Sequence, residues 1–419
     1  MRLRPQKDIY LDYASATPID RRVLKILHKT EKNFYANAST IYKKGIESSG
    51  VIERARSEIA KRLNVHADEI IFTGSGTESD ALAIIGTIDS FINRFPGVTP
   101  HVITSEIEHP AVLENIRNLE SKKIIEASYI PVLENGVIDL KILKESLKEN
   151  TVLVSVMYAN NEIGTIEPIE EIAKIIRRFK KGKSTSQDLA LDSLKARPYL
   201  VDFPLFHTDA CQAMNYLFTE NIDKLGVDLM TFNSSKIYGP KGIGILVKKR
   251  NIDIAPIYNG GGQEFGFRSG TESVSLINSL NVAHEITNKI KEKESLRLIK
   301  LRNYGIDKIL GLSKKYPFEI KLNGDKENRL PNNINITIDG LPSELVVIEL
   351  SALGVYVSEK SACKSEDDKG SYVIKAINGN KDQTIGSIRI TLGRQTVKSN
   401  LDALVKGLSR ILSKYSEWK

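Results

Sequence analysis

From residue 69 to residue 248, short apolar runs alternate with stretches of helical period, and no other feature of the chain restricts the fold as much. EIIFT (69–73) reads as a strand and TESDALAIIGTI as the helix after it. HVITSE (101–106) and PAVLENIRNLES repeat the pattern. GVIDLKILKESL has helical spacing, TVLVSVMYA (151–159) reads as a buried strand, and IEEIAKIIRRF as a helix. PLFHTDACQ ends another strand, and GVDLMTF and GIGILVKK follow. This rhythm predicts an α/β domain with a mostly parallel sheet and helices on both faces. Such sheets bind ligands at loops beyond the strand ends, where the polar clusters of this chain fall.

The run from Ser275 to about Leu312 is charged and helix-compatible, long enough to bridge two domains. Beyond it, NNINITI and SIRITL read as strands, and SELVVIELSAL and NLDALVKGLSRIL as helices, which predicts a smaller α/β C-terminal domain. The expected division is a large domain over residues 20–285 and a small domain formed by 1–19 with 286–419. KKGKSTSQDLALDSLKARPYL (180–200) breaks the rhythm and reads as a surface insertion.

Composition narrows the class. The 419 residues are 41% hydrophobic and 27% charged, the balance of a soluble globular protein. No run of about 18 apolar residues occurs, so no membrane-spanning helix is expected. The basic start MRLRPQKDIYLDY lacks the apolar core of a secretory signal. Two cysteines cannot build a disulfide framework, which favours a reducing, cytoplasmic setting. A net charge of +8 suits RNA or an acidic protein partner, but equally a solvated lysine-rich surface. No basic-aromatic module accompanies the charge, so direct nucleic-acid binding is not expected.

Four segments carry chemistry. In TGSGTESD (73–80), Gly74 and Gly76 allow a tight turn and Thr77 sits at a helix start, where free N–H groups and the helix dipole favour a phosphate. An ordinary turn with Thr77 as N-cap and Asp80 three residues on reads as well. In EIEHP (106–110), His109 can stack on a flat ring, carry protons near neutral pH, or serve structure alone. In FHTDACQ (206–212), Asp209 would be costly as a bare buried charge, and a cationic ring nitrogen would resolve that cost; a helix N-cap is the alternative. In NSSKIYGPKGIG (233–244), Lys236 ends an apolar run, and a desolvated lysine has a lowered pKa and forms Schiff bases. The stretch fails the Walker template, because its glycines follow Lys236 and lead into a strand.

Together with IYLDYASATPID, VSVMYANNEIGTIEPI, GGGQEFGFRSGTESV, VSEKSACKS and SIRITLGR, these segments make the chain resemble a cysteine desulfurase of the NifS/IscS type. Those enzymes belong to the class V aminotransferase family of pyridoxal phosphate enzymes. The resemblance covers nearly the whole chain apart from 180–200. It implies a type I aminotransferase-like fold, a homodimer, and pyridoxal 5'-phosphate as cofactor, with no metal. Lys236 would hold the cofactor as a Schiff base, Asp209 would pair with its ring nitrogen, and His109 would stack on the ring. Asn161 and Gln212 would bond near the ring hydroxyl, with Asn161 also beside the substrate. Gly76, Thr77, Asn233 and Ser235 align with phosphate-contacting positions, and Thr271 would reach the phosphate from the partner subunit. Arg389 would clamp the substrate carboxylate, a pairing that the guanidinium fork suits.

Cys363 lies in the polar stretch YVSEKSACKSEDDKGSYV, flanked by Lys360 and Lys364, which favour the thiolate. The resemblance makes it the nucleophile that takes sulfur from L-cysteine as a persulfide, leaving L-alanine; a free surface thiol is the alternative. Cys211 reads as a packed neighbour of Asp209, and a disulfide between the two cysteines is not expected. The sulfur would pass to an acceptor protein for iron–sulfur cluster assembly or tRNA thiolation. A selenocysteine lyase, another lyase or aminotransferase of this fold, or a non-catalytic scaffold are the rival readings. Three features depart from the family pattern: Ser235 where His is common, Glu359-Lys360 where Ser-Gly is common, and the 180–200 stretch. The ending SKYSEWK is also shorter than the scaffold-docking tail of some members, so that docking is not expected.

Overall fold

The computed structural model describes residues 8–188, 202–359, 370–379 and 387–418. In chain order its elements begin with β1 (Ile9–Tyr10), α1 (Arg21–Asn33), α2 (Lys43–Leu63), β2 (Ile70–Thr73), α3 (Gly76–Arg94), β3 (His101–Ser105), α4 (Pro110–Ser121) and β4 (Glu126–Ile130). There follow α5 (Leu140–Ser146), β5 (Thr151–Ser155), α6 (Ile169–Asp188), β6 (Leu205–Asp209), α7 (Ile222–Leu225), β7 (Leu229–Asn233), β8 (Gly244–Lys248) and α8 (Val274–Leu310). The C-terminal part comprises β9 (Ile320–Leu322), β10 (Asn333–Ile338), α9 (Ser343–Ala352), β11 (Val355–Tyr356), β12 (Ser358–Glu359), α10 (Tyr372–Ile377), β13 (Ile388–Thr391) and α11 (Lys398–Lys414).

Seven strands form the large sheet in the order β2-β8-β7-β6-β5-β3-β4. Only β8 runs against its neighbours, because it returns from β7 as a wide hairpin with Asn233 opposite Gly244. The α/β architecture expected from the apolar rhythm is therefore present. The strands bury both faces. Ile70, Phe72, Val154, Phe206 and Met230 pack with α2, α6 and the first half of α8. Ile71, Leu153, Leu205, Leu229 and Leu246 face the other way, toward α3 and α4. Alternation within one strand thus sends successive side chains into two cores. Each fully buried Leu, Ile or Phe contributes about 1.5–3 kcal/mol.

A four-stranded antiparallel sheet, β12-β13-β10-β9, carries the C-terminal part. Its Ile334, Ile336, Ile388 and Ile390 pack against α9, α11 and the second half of α8. The 37-residue α8 therefore belongs to both cores, as a bridging helix should.

Three local expectations are corrected. Helix α6 continues to Asp188, eight residues into the stretch read as an insertion from residue 180; residues 189–201 lie outside the described residues. Strand β5 stops at Ser155 rather than 159, because Met157 N turns to donate to both carboxylate oxygens of Glu108. Helices α1 and α2 had no sequence assignment; Gly45, Ser48, Ser49 and Gly50 dilute the periodic signal of α2.

Candidate active site

The C-terminal ends of β2, β3, β5, β6 and β7 surround a cavity of about 400 Å³. At β2 the chain turns into α3, and Ser75 is the N-cap, accepting from Glu78 N at 3.1 Å. Glu78 accepts in return from Gly74 N at 2.8 Å and is held by Arg268 at 2.7 Å. The alternative with Thr77 as N-cap is thereby corrected. Gly76 and Thr77 form the first turn of α3 and line the cavity, so the free N–H groups and positive end of a 19-residue helix face it. Two glycines let the strand-end loops come this close. A Cβ on Gly76 would lie 2.8 Å from Asn233 Nδ2 and 3.0 Å from Cys211 Sγ. One on Gly244 would lie 2.6 Å from the Ser75 carbonyl.

His109 has a structural part to play and also reaches the cavity. It is the N-cap of α4, with Nδ1 accepting from Ala111 N at 3.1 Å, and its ring lines the cavity. Because Nδ1 accepts, a neutral His109 carries its hydrogen on Nε2.

Asp209 ends β6, is 8% exposed, and accepts from Cys211 N at 2.8 Å, a turn-capping bond that leaves its carboxylate on the cavity wall. Cys211 is a buried thiol. Burial first, and then the Asp209 charge, push its pKa well up, so it is inert as a nucleophile. Its sulfur accepts from Asn233 Nδ2 at 3.3 Å.

The β7–β8 hairpin presents Lys236 from a single 3-10 turn, Ser234–Lys236. Asn233 caps that turn, accepting from Lys236 N at 3.2 Å and Ser235 Oγ at 3.0 Å. Lys236 Nζ donates to the carbonyls of Ala14 at 2.7 Å and Ser15 at 2.6 Å. Gln212 Nε2 donates to the same Ala14 carbonyl at 3.1 Å. Burial holds the Lys236 amine below the ordinary lysine range.

Arg389 reaches the cavity from β13 of the small sheet, with its side chain 3% exposed. Nη1 donates to Asn161 O at 3.0 Å; Nη2 donates to Asp12 Oδ1 at 2.9 Å and Ser15 Oγ at 2.5 Å. Its Nε and the Asn161 side-chain oxygen are buried without a hydrogen-bond partner among the described residues. The structure thus brings Gly76, Thr77, His109, Asn161, Asp209, Gln212, Asn233, Ser235, Lys236 and Arg389 to one cavity.

Two residues named from the sequence are not among these. Thr271 is exposed in the loop before α8 and does not line this cavity. Cys363 lies outside the described residues. Its flanks do not: Ser358 of β12 pairs with Arg389, and Ser371, after the segment, donates to Glu162 at 2.6 Å. Tyr372 OH donates at 2.6 Å to the carbonyl of Glu108, next to His109.

Sequence reasoning missed Asp12, the Ala14 and Ser15 carbonyls, and Asp80. Asp12, Ala14 and Ser15 lay within the quoted IYLDYASATPID, but nothing local signals that its backbone meets a lysine over 200 residues away. Among the described residues no cluster of three or more His, Cys, Asp or Glu side chains could hold a metal ion, and no helix is long and apolar enough to cross a membrane.

A parallel sheet with a desolvated lysine, a strand-end carboxylate, an anion-ready helix start and a buried arginine around one cavity defines the layout of an aminotransferase-like fold. A model of the Aminotransferase class-V family matches residues 9–198 and 204–404, and the chain belongs to that family. A cysteine desulfurase IscS of Dictyoglomus turgidum is 38% identical, with 99% of this chain and 98% of that one aligned. Cysteine desulfurase IscS 1 of Archaeoglobus fulgidus is 35% identical over 97% of each. Among solved structures, a NifS-like protein superposes with a TM-score of 0.83 at 31% identity, covering 97% of this chain and all of that one. SspA in complex with cysteine gives a TM-score of 0.73 at 29% identity, covering 93% of this chain and 100% of that one.

Proposed function

We propose that this chain is a pyridoxal phosphate-dependent cysteine desulfurase, converting L-cysteine to L-alanine with the sulfur retained as a persulfide on Cys363. The convergence of Lys236, Asp209, His109, Asn161 and Arg389 on one cavity carries the reading. The relatives named above support it over their full length.

The residues present fit the cofactor. The cavity offers a partnerless Asn161 oxygen for its ring hydroxyl and a cradle at Gly76 that any larger side chain would crowd. The first turn of α3, with Thr77, Asn233 and Ser235, would hold the phosphate. His109 would cover the ring, Gln212 would lie near its hydroxyl, and Asp209 would meet its nitrogen. Bound there, the cofactor supplies an electron sink for the bond electrons released at the substrate Cα.

The rest falls to the chain. Lys236, whose amine burial holds below the ordinary lysine range, would anchor the cofactor and afterwards take the substrate α-proton as general base. Asp209 keeps the ring nitrogen protonated by charge pairing. Arg389 orients the substrate through its carboxylate. His109, with hydrogen on Nε2, would donate that hydrogen toward the substrate sulfur. Cys363, as thiolate, would attack the substrate sulfur, so that the S–S bond forms as the substrate Cβ–S bond breaks; the electron pair stays on Cβ, which is protonated to the methyl group of alanine.

The exposed position of Thr271, away from this cavity, is what a role in a second copy's phosphate site requires, and a homodimer is part of the proposal. So are a sulfur-acceptor protein in iron–sulfur assembly or tRNA thiolation, a cytoplasmic location, and a cofactor domain over 20–285 with a small domain from 1–19 and 286–419. L-cysteine should give equimolar alanine and reductant-released sulfide, with 32 Da (one sulfur) added to the Cys363 peptide by mass spectrometry. Full turnover in Cys363→Ala would overturn the persulfide route.

A further inference from the structure

Below Asp209, four elements place polar side chains on one buried face. Ser155, His207, Asp209 and Thr231 share the side of the sheet that Leu153, Leu205 and Leu229 turn toward α3. From α3, Asp80 points back at them. It lines the cavity, is 1% exposed, and its Oδ1 has no hydrogen-bond partner among the described residues. That atom lies 3.6 Å from His207 Nε2, while the Thr231 hydroxyl hydrogen-bonds the carboxyl.

The imidazole cannot neutralise it. His207 is wholly buried, with Nδ1 2.8 Å from Ser155 Oγ and Nε2 3.0 Å from Thr231 Oγ1. Burial holds its pKa down to about 4, so it is uncharged at neutral pH. The charge that bears most on Asp80 is that of Asp209, of its own sign. The basic side chains on the cavity wall are hydrogen-bonded elsewhere: Lys236 with two carbonyls, Arg389 with Asp12. Burial first, then Asp209, keep the Asp80 carboxyl well above the usual range. A buried wall with two carboxyls, neither salt-bridged to a lysine or arginine, is matched to a cationic ligand.

We propose that Asp80 is a second carboxyl of the ring-nitrogen subsite, acting with Asp209 so that the pair selects a ring bearing a protonated nitrogen. The inference rests on the pyridoxal phosphate reading above. It gives a role to a buried carboxyl whose Oδ1 has no hydrogen-bond partner among the described residues.

The test is calorimetric binding to the cofactor-free full chain, with pyridoxal phosphate and with its 1-deaza analogue, whose ring carries carbon in place of nitrogen. The wild type should prefer pyridoxal phosphate. Asp80→Asn should weaken pyridoxal phosphate by about tenfold, the worth of one unit of differential protonation, and leave the analogue within about twofold, so that the preference shrinks. Equal weakening of both ligands, or an undiminished preference, would overturn the proposal. Analogue binding also reports that the variant is folded; should Asp80→Asn not fold, Asp80→Ser is read by the same ratio. A wild type that binds neither ligand would sink the cofactor reading and this inference together. A wild type that binds pyridoxal phosphate while the variant keeps its full preference would sink this inference alone.

Discussion

Asp12 and Arg389 lie 377 positions apart in sequence and 2.9 Å apart in space, and Asp12 is the carboxylate bonded to the guanidinium assigned to the substrate. A substrate carboxylate must share or displace that contact. Asp12→Asn keeps the shape and removes the competing charge. We expect KM for L-cysteine to fall about two- to fivefold, in line with about 0.5–1 kcal/mol for a partly exposed pair. The melting temperature should fall as well, because a buried guanidinium loses a charge-assisted bond. Steady-state kinetics decide, and an unchanged or higher KM would overturn the competition.

Lys236 is placed by its two carbonyl acceptors, and its amine is the proposed point of cofactor attachment. Purified protein should be yellow, and Lys236→Ala should lose the visible absorption band of the lysine-linked cofactor. A spectrum untouched by that change would sink the assignment of the site.

Glu108 is fully buried, and burial raises its carboxyl to about 8 despite bonds from Ser105 and Met157 N. Its unfolded value is near 4.5. Between the two, the unfolded chain loses a proton that the folded chain keeps, so this group's contribution to stability is present below the unfolded value and is lost as pH rises to about 8. The slope is at most about 1.4 kcal/mol per pH unit. Glu108→Gln copies the neutral acid, so denaturation measured from pH 5 to 8 should show a shallower decline than the wild type. Parallel curves would mean that Glu108 is ionised in the folded protein.

Gly244 lets β8 pass against the Ser75 backbone at the start of α3. Gly244→Ala forces backbone apart, at a cost of about 1–3 kcal/mol typical of overpacking. It should also weaken pyridoxal phosphate binding, because the displaced turn is the proposed phosphate cradle. Chemical denaturation and titration of the cofactor-free chain test the two parts separately.

Much of this was legible in the sequence because it is local. A strand ending in Asp209, a glycine turn before Thr77 and an apolar run ending at Lys236 each mark a residue that a sheet edge must present. The α/β rhythm needs only periods of two and 3.6. What stayed hidden depends on pairing across the chain. Asp12 reads as one more polar residue in IYLDYASA until folding sets it against Arg389. Asp80 reads as an early helix acid until β6 supplies the neighbours that make it unusual. The α6 extension to Asp188 was missed because its last turns carry lysine, glycine and serine rather than an apolar stripe.

Helix α8 is continuous over 37 residues, about 55 Å, and its two ends are buried in different cores. It works as a stiff strut rather than a tether. A displacement of the small sheet, which carries Arg389, is therefore transmitted as tilt to the helix packed beneath β7 and β8, the hairpin that holds Lys236. The proposed grip on the substrate and the proposed seat of the cofactor are thus joined by one continuous helix.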